Sequence, residues 1–389
     1  MPVTWLHISD LHVRTGDSYD RDVVFRALVR SVRRFREKER RNPDVIFVTG
    51  DIGYSGRADE YAIATKFFDE LLEAAGLDRH GLFVVPGNHD VDRDAGRFEL
   101  KEFETQSHAD DYFHPNNPKP HITKKQAAFL QWHQDYFGKI RTMPEHTTCG
   151  PVELVPLREV KFGILPINTA LFCQSHLDYE RLLVGRRCLD TAIEELNQLK
   201  ADLKIALMHH PIHYLSGFER QNIRASLVDH LDVILVGHLH EAGYAGVDML
   251  TGRTLFCAAG ATYQTREWPN RAYYATFDRD HVTIFPIRYE DHPREVWTLD
   301  PSLFPLEPDY EATFAVPREP EFRSFRTPWD GRFRIPIGAV AGERKPKSAR
   351  SSTPKSAHEV KSVQAMGENR LRGKRNSPKS SGRSSSKTR

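Results

Sequence analysis

Apolar residues in the first ninety positions form two kinds of pattern that follow each other along the chain. Residues 4–9, 45–48 and 82–85 are short apolar runs of strand length. Between them, residues 22–38 and 58–75 carry apolar side chains at roughly helical spacing. This order predicts a β-α-β-α-β segment with parallel strands joined by right-handed crossovers.

The pattern is interrupted after position 90 and then resumes. Residues 91–148 are polar and rich in His and aromatic side chains, which favours an insertion with helices near residues 98–108 and 124–137. Later strands are predicted at residues 152–155, 161–167, 203–208, 233–236, 254–257, 273–277 and 282–287, and helices at residues 189–199 and 219–230. The sequence therefore predicts an α/β fold with a helical insertion.

Composition divides the chain into three regions. We expect a folded domain over residues 1–299, a Pro- and aromatic-rich extension over residues 300–340 and a basic tail over residues 341–389. The tail holds 14 Lys and Arg, 3 Asp and Glu and 11 Ser, so its net charge is +11 and the rest carries −9 of the overall +2. The tail has few large apolar residues, and this composition predicts disorder. The tail is either a solvated terminus or a contact for nucleic acid or another polyanion.

The sequence also bears on location. No stretch reaches the ~20 apolar residues of a transmembrane helix, and the N-terminus enters a predicted strand without the features of a signal peptide. The four cysteines have no CxxC and no regular spacing, which favours reduced thiols. We therefore expect a cytoplasmic protein with no membrane span.

Five short polar motifs follow predicted strands. They are Ser9-Asp10-Leu11-His12, Thr49-Gly50-Asp51, Pro86-Gly87-Asn88-His89-Asp90, Met208-His209-His210-Pro211 and Val236-Gly237-His238-Leu239-His240. Side chains at the carboxyl ends of neighbouring strands converge on one crevice. A lone Asp-x-His or Gly-Asp is usually turn chemistry, but all five motifs in this order indicate a metal site.

The residue types in these motifs restrict the kind of metal. Asp51 could bridge two cations with one carboxylate, Asn88 offers a neutral oxygen and the histidines offer nitrogen. Mixed oxygen and nitrogen ligands suit Mn, Fe, Zn or Co better than Mg or Ca. The motifs contain no thiolate, which argues against a Cys-based structural zinc site.

The ordered motifs resemble those of the calcineurin-like metallophosphoesterase superfamily over about residues 3–290. The resemblance implies a four-layer α-β-β-α sandwich, catalytic over residues 1–299, with two divalent or mixed-valence metal ions. The first ion would be held by Asp10, His12, Asp51 and His240, and the second by Asp51, Asn88, His209 and His238. In this family the His of the Asn-His-Asp motif protonates or stabilises the leaving group. The predicted catalytic residues are therefore His89, oriented by Asp51 or Asp90, and Asp51.

The resemblance implies metal-dependent hydrolysis of phosphate esters. Residues 52–56 lack the acidic-Arg element of many members, and the phrases around Asp10 and Asn88 look closer to bacterial phosphodiesterase-like members, including the cyclic-nucleotide type. We expect a phosphodiesterase that uses a metal-activated hydroxide on a small phosphodiester or nucleotide. The alternatives are a phosphomonoesterase and a DNA or RNA nuclease, which the basic tail favours and the acidic main domain opposes. The complete ligand set argues against a non-enzymatic scaffold.

Overall fold

The computed structural model describes residues 1–316, apart from residues 17, 39–40, 96–102, 115–121, 145–146, 175–177, 240–246, 251–253 and 267–268. Most of the predicted extension over residues 300–340 and the whole basic tail lie outside the described residues. His240, one of the predicted ligands, also lies outside them.

The described part contains six α-helices and thirteen strands. The helices are α1 (Tyr19–Lys38), α2 (Ala58–Ala75), α3 (Gln106–Tyr112), α4 (Ala127–Phe137), α5 (Arg186–Gln198) and α6 (Gly217–His230). The strands are β1 (Val3–Ile8), β2 (Val45–Thr49), β3 (Leu82–Val85), β4 (Glu153–Leu157), β5 (Val160–Ile167), β6 (Leu203–Met208), β7 (Val233–Val236), β8 (Val247–Leu250), β9 (Thr254–Ala258), β10 (Arg271–Asp278), β11 (His281–Glu290), β12 (Val296–Leu299) and β13 (Ala312–Ala315).

The strands form two sheets. The first has the order β12-β11-β10-β1-β2-β3, and β13 also pairs with β11. Within it β1, β2 and β3 are parallel, which confirms the predicted β-α-β-α-β segment, whereas β10 runs antiparallel to β1. The second sheet has the order β4-β5-β6-β7-β9-β8, with β5, β6, β7 and β9 parallel.

Three apolar cores separate four layers. Helices α1, α2 and α4 pack against one face of the first sheet, the two sheets pack face to face, and α5 and α6 cover the second sheet. Neighbouring side chains of one strand serve different cores because they point to opposite faces. In β1, for example, Trp5 lies between the sheets and Leu6 faces the helices. The predicted α-β-β-α sandwich is thus confirmed.

The insertion contributes to the outer helical layer. Helix α4 packs on α2, where the Trp132 ring stacks on Tyr61 with the ring centroids 5.3 Å apart. Trp132 Nε1 donates a hydrogen bond to Thr65 Oγ1 over 2.9 Å. The other insertion helix was predicted too early, since α3 begins at Gln106, where the Thr105 side chain accepts a hydrogen bond from the backbone of His108. Residues 98–102 lie outside the described residues.

Three strands of four residues, β8, β12 and β13, escaped the sequence prediction because each contains a polar residue and none is a continuous apolar run. One of them, β12, still carries a core residue, Trp297, whose side chain is fully buried and donates a hydrogen bond to the Val24 carbonyl oxygen over 3.1 Å. Among the described helices, none has the length and apolar character that a bilayer crossing requires. The four cysteines form no disulfide, and three of them are buried.

Candidate metal centre

The ends of five strands bring the predicted site residues together. Asp10 and His12 follow β1, Asp51 follows β2, and Asn88 and His89 form a short 3₁₀ turn after β3. The second sheet contributes the remaining described members, His209 after β6 and His238 after β7. Because the sheets pack face to face, both sets of loops meet at one edge of the sandwich.

Asp51 lies at the centre of this cluster. Its Oδ1 is 3.4 Å from His209 Nε2, and its Oδ2 is 3.4 Å from His12 Nε2. Oδ1 also accepts a hydrogen bond from the backbone N–H of His89 over 2.8 Å. Oδ2 is buried and accepts no hydrogen bond from any described residue. The two carboxylate oxygens therefore face different imidazoles, as a bridging ligand requires.

A second convergence surrounds the Asn88 side chain. Asn88 Oδ1 lies 3.1 Å from His209 Nε2 and 2.9 Å from His238 Nδ1. His209 Nδ1 donates a hydrogen bond to the Thr49 carbonyl oxygen over 2.6 Å, so in the neutral imidazole Nε2 carries the lone pair. Asn88 Oδ1 and His209 Nε2 then face each other as two acceptors, and a cation between them would satisfy both. This combination of oxygen and nitrogen ligands suits a transition metal.

The described ligand atoms fall into three overlapping groups. Within each group the ligand atoms all lie within 4.8 Å of one another, and the groups are Asp10, Asp51 and His209; His12, Asp51 and His89; and His209, His210 and His238. Asp51 belongs to two of the groups. The residues present therefore fit two neighbouring metal ions that share one carboxylate.

Charge in the cluster shifts the pKa values of its members. Burial opposes ionisation of both Asp51 and His209, but each stabilises the charged form of the other. The pKa of Asp51 is held well below its usual range, and the charge of Asp51 raises the pKa of His209 to about 9. This negative environment attracts a proton or a metal cation at the same place.

The backbone of the site loops is strained. Asp10, His12, Asp51 and His238 all have positive φ, between 47° and 68°. Such a conformation is uncommon outside glycine and costs about 1–3 kcal/mol for each residue. Backbone hydrogen bonds between the loops hold it, including those from the N–H groups of Leu11 and His12 to the Asp51 carbonyl oxygen at 2.9 and 3.0 Å.

Glycine gives the loops the space that this packing needs. A Cβ atom on Gly237 would collide with Ser9 Oγ and would lie 2.6 Å from the Thr49 carbonyl oxygen and 3.0 Å from Asp10 Oδ2. The close approach lets the backbone N–H of His238 donate a hydrogen bond to Asp10 Oδ2 over 3.0 Å. Gly237 thus couples the loop of the second sheet to that of the first.

His89 stands at the rim of the cluster with its ring held by a backbone group. Its Nδ1 donates a hydrogen bond to the Tyr54 carbonyl oxygen over 2.7 Å. We expected Asp51 or Asp90 to orient this imidazole, but among the described residues the Tyr54 carbonyl oxygen accepts its hydrogen bond, while Asp51 accepts one from the backbone N–H of His89. Nε2 is left as the nitrogen that can exchange a proton with a bound molecule.

Comparison with known families agrees with the site. The family model described as "Calcineurin-like phosphoesterase" matches residues 3–242, which is more than half of the chain. The chain belongs to this family. Proteins of this family typically hydrolyse phosphoesters at a dinuclear metal site, and the described residues of this chain that converge on Asp51 are candidate ligands.

One curated relative and several solved structures are similar to this chain. An uncharacterized metallophosphoesterase-like protein, YydB of Bacillus subtilis (strain 168), is 28% identical over 260 residues, covering 63% of this chain and 50% of its own. The chain thus spans about half the length of this relative. A dimetal phosphatase from Danio rerio has a TM-score of 0.44 at 13% identity, covering 77% of this chain and 99% of its own. Purple acid phosphatase PPD1 from yellow lupin (Lupinus luteus) has a TM-score of 0.44 at 9% identity, and the match covers 81% of this chain and 54% of its own.

The site also contains Asp90, which sequence reasoning treated only as a neighbour of His89. Asp90 is fully buried and accepts hydrogen bonds from the backbone N–H groups of Ile52, Gly53 and Gly87 and from the Tyr61 hydroxyl, at 2.7–3.1 Å. Burial and the charge of Asp51 raise the pKa of Asp90 to about 7. Asp90 ties the loop after β2 to the loop after β3, and its place in the Asn-His-Asp motif was the available signal.

The two adjacent histidines have different surroundings. His209 reaches Asp51 and Asn88, whereas His210 Nδ1 lies 2.9 Å from Thr169 Oγ1. The ring of His210 is buried 4.6 Å from the ring of His238, and its burial lowers its pKa well below the usual value. Geometry therefore brings His209 to Asp51 and leaves His210 beside His238.

Proposed function

We propose that the protein is a metal-dependent phosphodiesterase that acts on small phosphodiesters. The observation that carries the proposal is the central position of Asp51, whose two carboxylate oxygens each lie 3.4 Å from a different imidazole, His12 on one side and His209 on the other. A shared carboxylate between two nitrogen ligands matches a two-metal site that clamps a phosphoryl group.

In this proposal the two ions have the ligands that the motifs predict. Asp10, His12, Asp51 and His240 hold the first ion, and Asp51, Asn88, His209 and His238 hold the second. Support for the first set comes from the 3.4 Å between Asp51 Oδ2 and His12 Nε2. Support for the second comes from Asn88 Oδ1, which lies 3.1 Å from His209 Nε2 and 2.9 Å from His238 Nδ1. Oxygen and nitrogen donors without a thiolate favour Mn, Fe or Zn.

Bound divalent cations would supply Lewis-acid stabilisation of the phosphoryl oxygens and a lower pKa for water. Asp51 and Asn88 would hold these ions together with the histidines. His89 handles the proton of the leaving group: protonated at Nε2, it donates that proton to the leaving oxygen and becomes neutral. The hydrogen bond from His89 Nδ1 to Tyr54 keeps Nε2 directed to the cluster side.

A diester is favoured over a monoester by the local charge. The segment after Asp51, residues 52–56, contains no Arg or Lys. A phosphomonoester dianion brings one more negative charge than a diester, and this segment offers no side-chain cation to pair with that charge. The proposal therefore keeps monoester hydrolysis and nuclease activity as alternatives that the substrate test separates.

The test compares bis-p-nitrophenyl phosphate with p-nitrophenyl phosphate, each with added Mn²⁺ and with a chelator. We expect Mn²⁺-dependent cleavage of the diester that the chelator abolishes. Asp51→Asn should lower it about 100-fold or more together with metal content. Cleavage of the monoester alone would contradict the proposal that the protein is a phosphodiesterase. If neither compound is cleaved although two equivalents of metal are bound, the proposal that it is a hydrolase is contradicted.

His89→Ala separates proton transfer from metal binding. The variant should lower turnover by about 10²–10⁴-fold and leave the metal content unchanged, because His89 acts on the leaving group. His108→Ala is the matched control, since His108 is an exposed histidine of the insertion. An equal loss of metal in His89→Ala would show that His89 is a ligand.

We also propose the domain division that composition predicts, with catalysis in residues 1–299, an extension over residues 300–340 and a separate basic tail. The absence of disulfides among the four cysteines supports a cytoplasmic location. Removing residues 341–389 should leave diester kinetics unchanged. Loss of activity on DNA alone after this deletion would favour the nuclease, with the tail as its polyanion contact.

A further inference from the structure

Tyr54 forms an exposed aromatic wall beside the metal cluster. Its backbone is fixed, because its carbonyl oxygen accepts the hydrogen bond from His89 Nδ1 and its N–H donates to Glu60 Oε2 over 3.2 Å. The residue is nevertheless 45% exposed, which is unusual for a large ring on a pinned loop. A planar side chain held in place and open to solvent next to a reaction centre can serve as a binding surface.

Three rings lead outward from the buried cluster to this wall. The His89 ring contacts both the ring of His12, 4.9 Å away at 81°, and the ring of Tyr54, 5.1 Å away at 32°. The Tyr54 ring is 6.2 Å from that of His12, so a sugar between a phosphoryl group and a planar base could span the gap. A molecule held by its phosphate at the cluster would therefore reach Tyr54 with its next group.

A cation lies over the Tyr54 ring. The Arg14 guanidinium carbon lies 5.5 Å from the centroid of the Tyr54 ring, and Arg14 is exposed two residues beyond His12. The segment after Asp51 supplies no cation of its own, so Arg14 brings positive charge to this side from a different loop. Arginine pairs with phosphate and stacks on planar groups.

The opposite side of the cluster has aromatic rings but a different charge. Tyr214 lies 4.6 Å from the His238 ring, and Tyr179, 53% exposed, lies 5.2 Å from Tyr214. There the neighbouring Glu180 is paired with Arg220 at 2.6 Å, so that pair adds no net positive charge. An anionic substrate is therefore better received on the Tyr54 side.

We propose that Tyr54 and Arg14 form a specificity subsite for nucleotide-containing phosphodiesters, in which the Tyr54 ring stacks on the base and Arg14 pairs with a further phosphate of the substrate. This inference rests on the phosphodiesterase proposed above and names its substrate class. Stacking of one base on an aromatic side chain typically changes affinity by about tenfold or more.

Direct binding tests the subsite without relying on hydrolysis. The probes are the phosphonate analogue of thymidine 5′-monophosphate and methylphosphonate, neither of which can be hydrolysed at the phosphorus–carbon bond. Titration calorimetry with the Mn²⁺-loaded full chain should show the nucleoside phosphonate binding about tenfold or more tightly than methylphosphonate. Tyr54→Ala should reduce this ratio to about threefold or less, and Tyr54→Phe should keep it because the ring remains.

Two further variants test which tyrosine binds the base and whether Arg14 supplies the charge that binds a second phosphate. Tyr179→Ala, the matched control on the opposite side, should keep the affinity ratio. Arg14→Gln should remove the gain in affinity that a second phosphate on the 3′ position of the nucleoside phosphonate brings. An unchanged ratio in Tyr54→Ala, or a ratio lost in Tyr179→Ala instead, would overturn the inference. Failure of diester hydrolysis with a preserved binding ratio would overturn the proposed function and leave the subsite standing.

Discussion

Replacing Gly237 by alanine should damage the metal centre by steric overlap alone. The added Cβ would overlap Ser9 Oγ and would approach the Thr49 carbonyl oxygen to 2.6 Å, where real Cβ atoms are essentially never found. The Thr49 carbonyl lies at the end of β2, whose backbone is paired with β3 and cannot move aside cheaply, and Ser9 Oγ donates a hydrogen bond to the same carbonyl over 3.0 Å. Overpacking of this kind costs about 1–3 kcal/mol, and we expect the upper part of that range.

The overlap should also reach the metal site. Relief of the clash must shift residue 237 outward and carry His238 with it, which stretches the 3.0 Å hydrogen bond from the His238 N–H to Asp10 Oδ2. A displacement of about 1 Å can lower activity about 100-fold when it misplaces a reacting group. The variant should therefore bind less metal and turn over the diester more slowly.

The assay measures the free energy of unfolding by denaturant in the presence of chelator, so that lost metal affinity does not contribute. Gly217→Ala is the control, since nothing lies within 4 Å of a Cβ at the start of α6. Alanine is about 1 kcal/mol better than glycine inside a helix, so the control should be neutral or stabilised. Adding Ser9→Gly to Gly237→Ala should recover part of the loss, because it removes one of the two obstacles. Gly237→Ala with unchanged stability and full metal content would refute the steric reasoning.

Three other perturbations have defined outcomes. Mn²⁺ at about 100 times its dissociation constant should stabilise the protein by about 2.7 kcal/mol in thermal unfolding, and Asp51→Asn should abolish most of this increment. Burial lowers the pKa of His133 to about 4, so the unfolded chain binds the proton first as pH falls below 6.5. The free energy of unfolding should therefore fall by ~2 kcal/mol between pH 7 and 5. The variant His133→Leu should not show this loss. The Arg141 side chain is 6% exposed and pairs with Glu153 at 2.7 Å. Replacing Arg141 by Met should therefore lower the free energy of unfolding by about 3 kcal/mol. The same change at Arg158, 35% exposed, should cost less than about 1 kcal/mol, and equal losses would contradict the role of burial.

The amino-acid sequence by itself determined the local elements and the chemistry of the site. Strand β3, helix α2 and strand β6 begin and end where the apolar pattern predicts, because strands buried on both faces are continuous apolar runs. The same runs locate the strand ends, and a polar motif after a strand end indicates a ligand loop. The fold class and the candidate ligands can therefore be predicted before any tertiary structure is known.

Only the tertiary structure decided how the two halves of the site meet. His209 and His238 belong to the second sheet and Asp51 to the first, and their contacts depend on the packing of Trp5, Phe162 and the other residues between the sheets. The Tyr54 carbonyl that holds His89 carries no side-chain signal, because every residue has a carbonyl group. Local periodicity reports which face of an element is buried, but contacts between distant segments depend on the whole core, and these contacts set the distances on which the chemistry depends.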